Sequence, residues 1–215
     1  MILLLALSAA AGAAQEDFVF HELSFPRSQN QYVHIESRFP VQGESVELIM
    51  PVWTPGSYLV REYSAHLERL EVFGTGQTPL PVVKVAKNRW RVDLDAGDEI
   101  TVSYDVWAGE LNVSTNWVDS SQALLNGAGI FLFTNQSREL PQEVDVRLPQ
   151  GWTTVHSAMD RAGKPGRFRV ADYDELVDSP ILVGNAVEYP FEVSGHPYGL
   201  VFSEDNPYWD GELAA

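Results

Sequence analysis

An all-β fold, an antiparallel β-sandwich with one short helical turn near its end, is predicted by three features of the 215-residue sequence. Apolar residues recur with period two in segment after segment, clusters of Gly, Pro and Asn separate those segments, and no stretch of ten or more residues sustains a helical stripe.

Val46, Leu48 and Met50 alternate with Glu47 and Ile49, and Trp90, Val92 and Leu94 alternate with Arg91 and Asp93. Ile100, Val102, Tyr104 and Val106 repeat the pattern, as do Val144, Val146 and Leu148. Each such strand is expected to bury one face. Turns are predicted at Gly74-Thr75-Gly76, Lys87-Asn88, Ala96-Gly97-Asp98, Gln150-Gly151 and Gly163-Lys164-Pro165-Gly166, where residues tolerate positive φ or pre-set the bend. The helical turn is placed at Asp172–Val177, with Asp172 as N-cap, Glu175 three residues on, and Pro180 blocking continuation. After Gly184 the chain is punctuated by Pro190, Gly195-His196-Pro197 and Asn206-Pro207, which suggests a domain boundary. The organisation expected is therefore a leader over 1–14, a β-sandwich over 15–186, and the start of a following region over 187–215.

Hydrophobic residues make up 45% of the chain and charged residues 20%, the composition of a globular protein. A formal charge of −16 with scattered acidic residues repels a phosphate backbone, so nucleic acid is excluded as a partner class. The absence of cysteine removes disulfides, thiolate metal sites and a Cys nucleophile together.

Met1–Leu7 form a short apolar run, and Ala11-Gly12-Ala13 fits a small-x-small cleavage pattern ahead of polar Gln15-Glu16-Asp17. This reads as a signal peptide, against a truncated start or a membrane anchor, and implies a periplasmic or secreted protein. The run is well short of the ~20 residues a membrane span requires, so no stable span is expected.

The most distinctive segment is Pro51-Val52-Trp53-Thr54-Pro55-Gly56-Ser57-Tyr58-Leu59-Val60-Arg61-Glu62-Tyr63. Pro51 ends a strand for want of an N–H, and Pro55-Gly56 suits the central positions of a type II turn. With Trp53 and Tyr58 flanking it, the segment reads as a tight aromatic-walled corner, whether structural or ligand-facing. Further on stand Lys87-Asn88-Arg89-Trp90, Tyr104-Asp105-Val106, Glu110-Leu111, Asn126-Gly127-Ala128 and Tyr173-Asp174-Glu175-Leu176-Val177-Asp178-Ser179-Pro180. Together, in this order, these segments resemble the N-terminal domain of the glycyl aminopeptidases, metallopeptidase family sixty-one, from about Tyr32 to His196.

The resemblance implies an enzyme of three parts: this β domain, a thermolysin-like catalytic domain whose His-Glu-x-x-His motif holds zinc, and a PDZ-like domain. In such a motif two His one helical turn apart ligate the metal and the Glu acts as general base. This chain lacks it: His21-Glu22-Leu23-Ser24-Phe25 begins correctly, but Phe25 stands in the second ligand position and the surroundings read as a strand. His34, His66, His156 and His196 have no zinc-ligand spacing. No catalytic residue and no metal ligand is therefore assigned, and zinc is expected in the catalytic domain. Ser57 lacks a nucleophile elbow. The acidic group Asp172, Asp174, Glu175 and Asp178 reads as helix capping and solvation rather than a calcium loop.

Two segments are candidates to face peptide substrate through the full-length enzyme. One is the corner at Tyr58, Arg61 and Glu62, where Glu62 suits a peptide's α-ammonium group and Arg61 either contributes or simply pairs with a nearby acid. The other is Leu124-Leu125-Asn126-Gly127-Ala128-Gly129-Ile130, with Asn126 and Gly127 as its candidate residues, where glycines permit close backbone approach. The leading functional expectation is a non-catalytic domain that helps form a cleft for peptide N-termini. The alternative is a free-standing secreted sandwich that binds carbohydrate or protein through exposed tryptophans, with Trp90 in the core but Trp53, Trp117 and Trp152 at turns or loops.

Overall fold

The computed structural model of the protein describes residues 17–94, 97 and 99–204. The leader expected over 1–14, and Ala96 and Asp98 of one predicted turn, lie outside the described residues.

In chain order the strands are β1 (Val19–Arg27), β2 (Tyr32–Pro40), β3 (Ser45–Ile49), β4 (Leu67–Phe73), β5 (Pro79–Leu80) and β6 (Val82–Ala86). They continue as β7 (Arg89–Asp93), β8 (Glu99–Trp107), β9 (Trp117–Val118), β10 (Ala123–Leu125), β11 (Phe133–Thr134) and β12 (Gln142–Val146). The last are β13 (Thr154–Ser157), β14 (Asp160–Arg161), β15 (Arg167–Val170), then helix α1 (Tyr173–Val177), β16 (Ile181–Gly184), β17 (Val187–Val193) and β18 (His196–Phe202). An eight-stranded sheet runs β14-β15-β12-β1-β2-β8-β4-β5, and two four-stranded sheets run β13-β16-β10-β9 and β11-β3-β7-β6.

Period two decides what each strand buries. Leu23, Ile35, Val102, Tyr104 and Val144 of the large sheet share one apolar cluster with Leu48 and Val92 of one small sheet and Leu125 and Val183 of the other. The predicted all-β sandwich is this arrangement, the inward faces of three sheets meeting in a single core. The helix also forms as expected: Asp172 accepts the Glu175 N–H at 2.9 Å, and Glu175 Oε2 accepts the Ala171 N–H at 2.8 Å.

Two details, at Leu148 and Trp152, differ from the sequence reading. The strand expected to reach Leu148 ends at Val146, and Leu148 is exposed. Trp152 is core, because its ring folds back on Phe25 with centroids 5.1 Å apart while its Nε1 donates to Ser120 O. The punctuated stretch after Gly184 holds a two-stranded ribbon, β17 with β18. Both strands are edges, so Pro190 and Pro197 do no harm, and Ser194 and Gly195 supply the two positive φ angles of its hairpin turn.

β1 lies between β2, antiparallel, and β12, parallel. At that junction His21 is fully buried against Phe39 and Phe131. Gln142 Nε2 donates to Ser137 O and Leu140 O, so its Oε1 is left to accept from His21 Nε2–H at 3.1 Å. That fixes the neutral tautomer, and Nδ1 accepts from the Ser37 hydroxyl at 2.8 Å. Burial, partly offset by the Gln142 hydrogen bond, lowers the His21 pKa from 6.5 to about 4.

A folded-state pKa below the unfolded value means that the unfolded chain takes up a proton first as pH falls below 6.5. Stability from this group is thus complete above pH 6.5 and declines toward pH 4. The expected loss between pH 6.5 and 5 is about 2 kcal/mol, from roughly 1.4 kcal/mol per pH unit. Urea denaturation at both pH values checks it, and His21→Gln, although less stable at pH 7, should lose that slope.

Candidate functional site

The corner segment folds as a closed loop. Met50 and Asn88 exchange hydrogen bonds, Met50 N–H to Asn88 O at 3.0 Å and Asn88 Nδ2 to Met50 O at 2.6 Å, fixing where the loop leaves β3. The Ser57 N–H donates to Thr54 O at 3.1 Å across Pro55-Gly56, with Gly56 at φ 88, the turn that the sequence predicts. Trp53 Nε1 donates to Ser57 O at 2.8 Å, and the Arg61 N–H donates to Val52 O at 2.6 Å, closing the loop at its base. The tip is left with nothing to pack on: Tyr58 is fully exposed, Leu59 61% and Val60 70% exposed.

Beyond the loop a 3-10 turn over Tyr63–Ala65 buries Tyr63. Lys87, in the β6–β7 turn, ties this corner down: its Nζ donates to Glu62 Oε1 at 2.7 Å and its carbonyl accepts from Ser64 Oγ at 3.1 Å. Glu62 therefore pairs with Lys87 rather than Arg61, and both partners of that pair are largely solvent-exposed.

A second loop, Glu110–Asn116, stands alongside. Glu110 N–H donates to Asn116 O at 3.0 Å and Thr115 Oγ1 donates to Glu110 O at 2.6 Å. Arg61 Nη2 reaches across to Ser114 Oγ at 3.3 Å. Asn126 joins from behind, its N–H donating to Asn116 Oδ1 at 2.7 Å and its Nδ2 to Thr115 O. The two candidate segments thus meet through Thr115-Asn116. Between them lies an open cleft of about 180 Å³ lined by Arg61, Glu62, Glu110, Thr115, Asn116 and Gly129, with Tyr63 and His66 at its wall. Tyr58 stands apart at the loop tip.

The glycines after Asn126 serve this packing. A Cβ on Gly127 would lie 2.8 Å from Leu176 O, so the room that Gly127 leaves is taken by α1. A Cβ on Gly129 would lie 2.5 Å from Asn116 Nδ2 and 3.2 Å from the Tyr63 ring. Gly129 lies within the segment that the sequence marks as a candidate, whereas Glu110 and Asn116 carry no such signal beyond the landmark Glu110-Leu111.

A larger groove of about 620 Å³ runs along the other side of the corner, lined among others by Trp53, Pro55, Asn88, Phe133, Tyr173 and Asp178. Segments distant in sequence, the Trp-Thr-Pro-Gly corner, the Lys-Asn turn and the α1 region, converge there. Asp174 on its rim is held by Arg138 in two hydrogen bonds of 3.0 and 2.8 Å.

Among the described residues no three His, Asp or Glu side chains gather to hold a metal ion. The five histidines sit on separate elements: His21 on β1, His34 beside Asp105, His66 against Trp107, His156 on β13 and His196 on β18. The described residues therefore do not fit the zinc that the resemblance implies for the enzyme.

Comparison with known structures places the fold among aminopeptidase-type β domains. An aminopeptidase N family protein from Idiomarina loihiensis matches with a TM-score of 0.80 and 28% identity, over 85% of this chain and 32% of that one. More remote are an M1 zinc metallopeptidase from Deinococcus radiodurans, TM-score 0.48 and 10% identity over 82% and 43% of the two chains, and Legionella pneumophila aminopeptidase A, 0.45 and 11% over 88% and 24%. The chain spans about a third of the length of the Idiomarina relative. No curated protein matches it. The chain belongs to the peptidase M61 family: residues 21–185 match the family's N-terminal domain.

Because Gly129 is closely faced by Asn116 and Tyr63, Gly129→Ala is expected to cost about 1–3 kcal/mol by overpacking. Lys87→Met, which removes an exposed pair, should cost less than about 1 kcal/mol. Denaturant midpoints of the two variants check the contrast.

Proposed function

We propose that this chain is the non-catalytic N-terminal domain of an exported zinc aminopeptidase and forms one wall of a cleft for peptide N-termini. Family membership and the Idiomarina likeness support the class of enzyme. That the chain spans 32% of that relative supports hydrolysis, and zinc, residing in polypeptide outside this domain. The small-residue pattern of the first fourteen residues supports a periplasmic or secreted location. Among the described residues no helix is long and apolar enough to cross a membrane.

The observation that carries the reading is the corner loop, braced at its base by Arg61 N–H on Val52 O and projecting Tyr58, Leu59 and Val60 into solvent beside the Glu62 cleft. Apolar side chains held outward on a loop braced at its base are what an adjoining surface or substrate covers. Glu62 keeps its carboxylate at the cleft mouth, and its exposed Lys87 partner is readily exchanged for a peptide α-ammonium. A free-standing carbohydrate platform has less behind it: Trp90 and Trp152 are core, and among the described tryptophans only Trp53 is exposed.

In the longer enzyme, Glu62→Gln should lower kcat/KM for a peptide with a free N-terminal glycine about tenfold, chiefly by raising KM. An unchanged specificity constant would remove Glu62 from substrate binding.

A further inference from the structure

Of the acids in and around α1, the fold accounts for all but Asp178. Asp172 accepts the Glu175 N–H as N-cap, Glu175 Oε2 accepts the Ala171 N–H, and Asp174 is held by Arg138. The Asp178 carboxylate, by contrast, is met by no donor among the described residues. Asp178 is also the C-cap of α1, the end at which helix carbonyls gather partial negative charge, and no basic residue stands in that last turn. An acid in this place gains nothing from its own domain.

Asp178 stands on the wall of the groove of about 620 Å³ beside the Trp-Thr-Pro-Gly corner. Val52, Trp53, Pro55, Phe133, Tyr173 and Val177 give that groove an apolar and aromatic lining. The Trp53 ring is 49% exposed and is held by its Nε1–H bond to Ser57 O, so it presents a fixed face. The Met50–Asn88 exchange that sets where the loop leaves β3 also sets this wall, and it leaves Asn88 Oδ1 without a described donor. Three carboxylates line the groove, Asp174, Glu175 and Asp178, against the one guanidinium of Arg138, whose Nε and Nη2 are taken up by Asp174.

These charges decide what the groove admits. An anion is repelled by the acids, a neutral apolar molecule strips water from Asp178 with nothing in return, and a small hydrated cation makes no use of the aromatic lining. A molecule that joins an aromatic ring to an ammonium group gains from both, through contact of the cation and ring with Trp53 and through the acid beside it. We propose that this groove binds an amphipathic organic cation, an aryl-alkyl amine, with its ring against Trp53 and its ammonium on Asp178. The site lies on the other side of the corner from the Glu62 cleft and does not depend on the peptidase reading.

The test is an NMR titration of the nitrogen-15-labelled 215-residue chain, read on the Trp53 Nε1–H resonance and on the Val177 and Asp178 amides. Phenethylamine should give a saturable shift, and phenethyl alcohol, of the same shape without the charge, should bind about fivefold more weakly. Butylamine, which keeps the ammonium without the ring, should also bind at least about fivefold more weakly, and phenylacetate should give no saturable shift. Asp178→Asn should bring phenethylamine to within about twofold of the alcohol, with the fold intact by circular dichroism. The proposal is overturned by the absence of a saturable phenethylamine shift to about 50 mM, by alcohol, butylamine or phenylacetate binding as tightly as the amine, or by an Asp178→Asn variant that keeps the full preference for it.

Discussion

The pairing of β1 with β12 is the constraint on which the rest of the domain depends, because it joins residues 123 positions apart, Val19 with Gln142, and sets β1 in the middle of the largest sheet. Closing so long a loop has an entropic cost that only well-matched contacts offset. Here the match is polar as well as apolar. Ser37, His21 and Gln142 form a row of buried hydrogen bonds across three adjacent strands, ending on the backbone carbonyls of Ser137 and Leu140. A slip of one residue would turn His21 to the outer face and leave Gln142 Oε1 without its donor, so the row selects a register that apolar contacts alone would leave less defined.

The same economy of buried polar groups holds the segment between β10 and β11, which carries the core across to the corner. Ile130, Phe131 and Leu132 are fully buried yet belong to no strand, so their backbone groups need partners from elsewhere. Tyr104 supplies two, donating to Ile130 O at 3.0 Å and accepting the Leu132 N–H at 3.1 Å, and Tyr173 donates to Phe131 O at 2.7 Å. Burial pushes both phenols well above their ordinary pKa, which keeps them protonated donors. Gly127 and Gly129 precede this segment, and through them the core positions Asn116 and Tyr63 around the cleft. Core and site are thus one piece of construction: strands fix the tyrosines, the tyrosines fix an irregular crossing, and the crossing fixes the cleft wall.

How much of this was legible in the sequence follows from what period two can encode. It marks which face of a strand is buried, so Val46, Val92, Val102 and Val144 were read correctly, and local chemistry marked the Pro55-Gly56 turn and the Asp172 cap. It does not say which strand lies beside which, so the parallel partner of β1 had no signal. Trp152 is core although it stands in a loop, because a loop position in sequence carries no information that the loop folds back, here onto Phe25. At the cleft, Arg61 and Glu62 stood out within a distinctive segment, whereas Glu110 and Asn116 owe their place to loop hydrogen bonds with no periodic or spacing pattern.

A loop braced at its base and a small cleft lined by Arg61, Glu62 and Glu110 are the outward features on which the proposed positioning role rests. The central claim is that hydrolysis does not reside in this chain. It is tested most directly by incubating the purified 215-residue protein with zinc and a chromogenic glycyl amide and following amine release. The account predicts a rate no greater than the protein-free control at every protein concentration. A rate that rises in proportion to protein and disappears on chelation would contradict it.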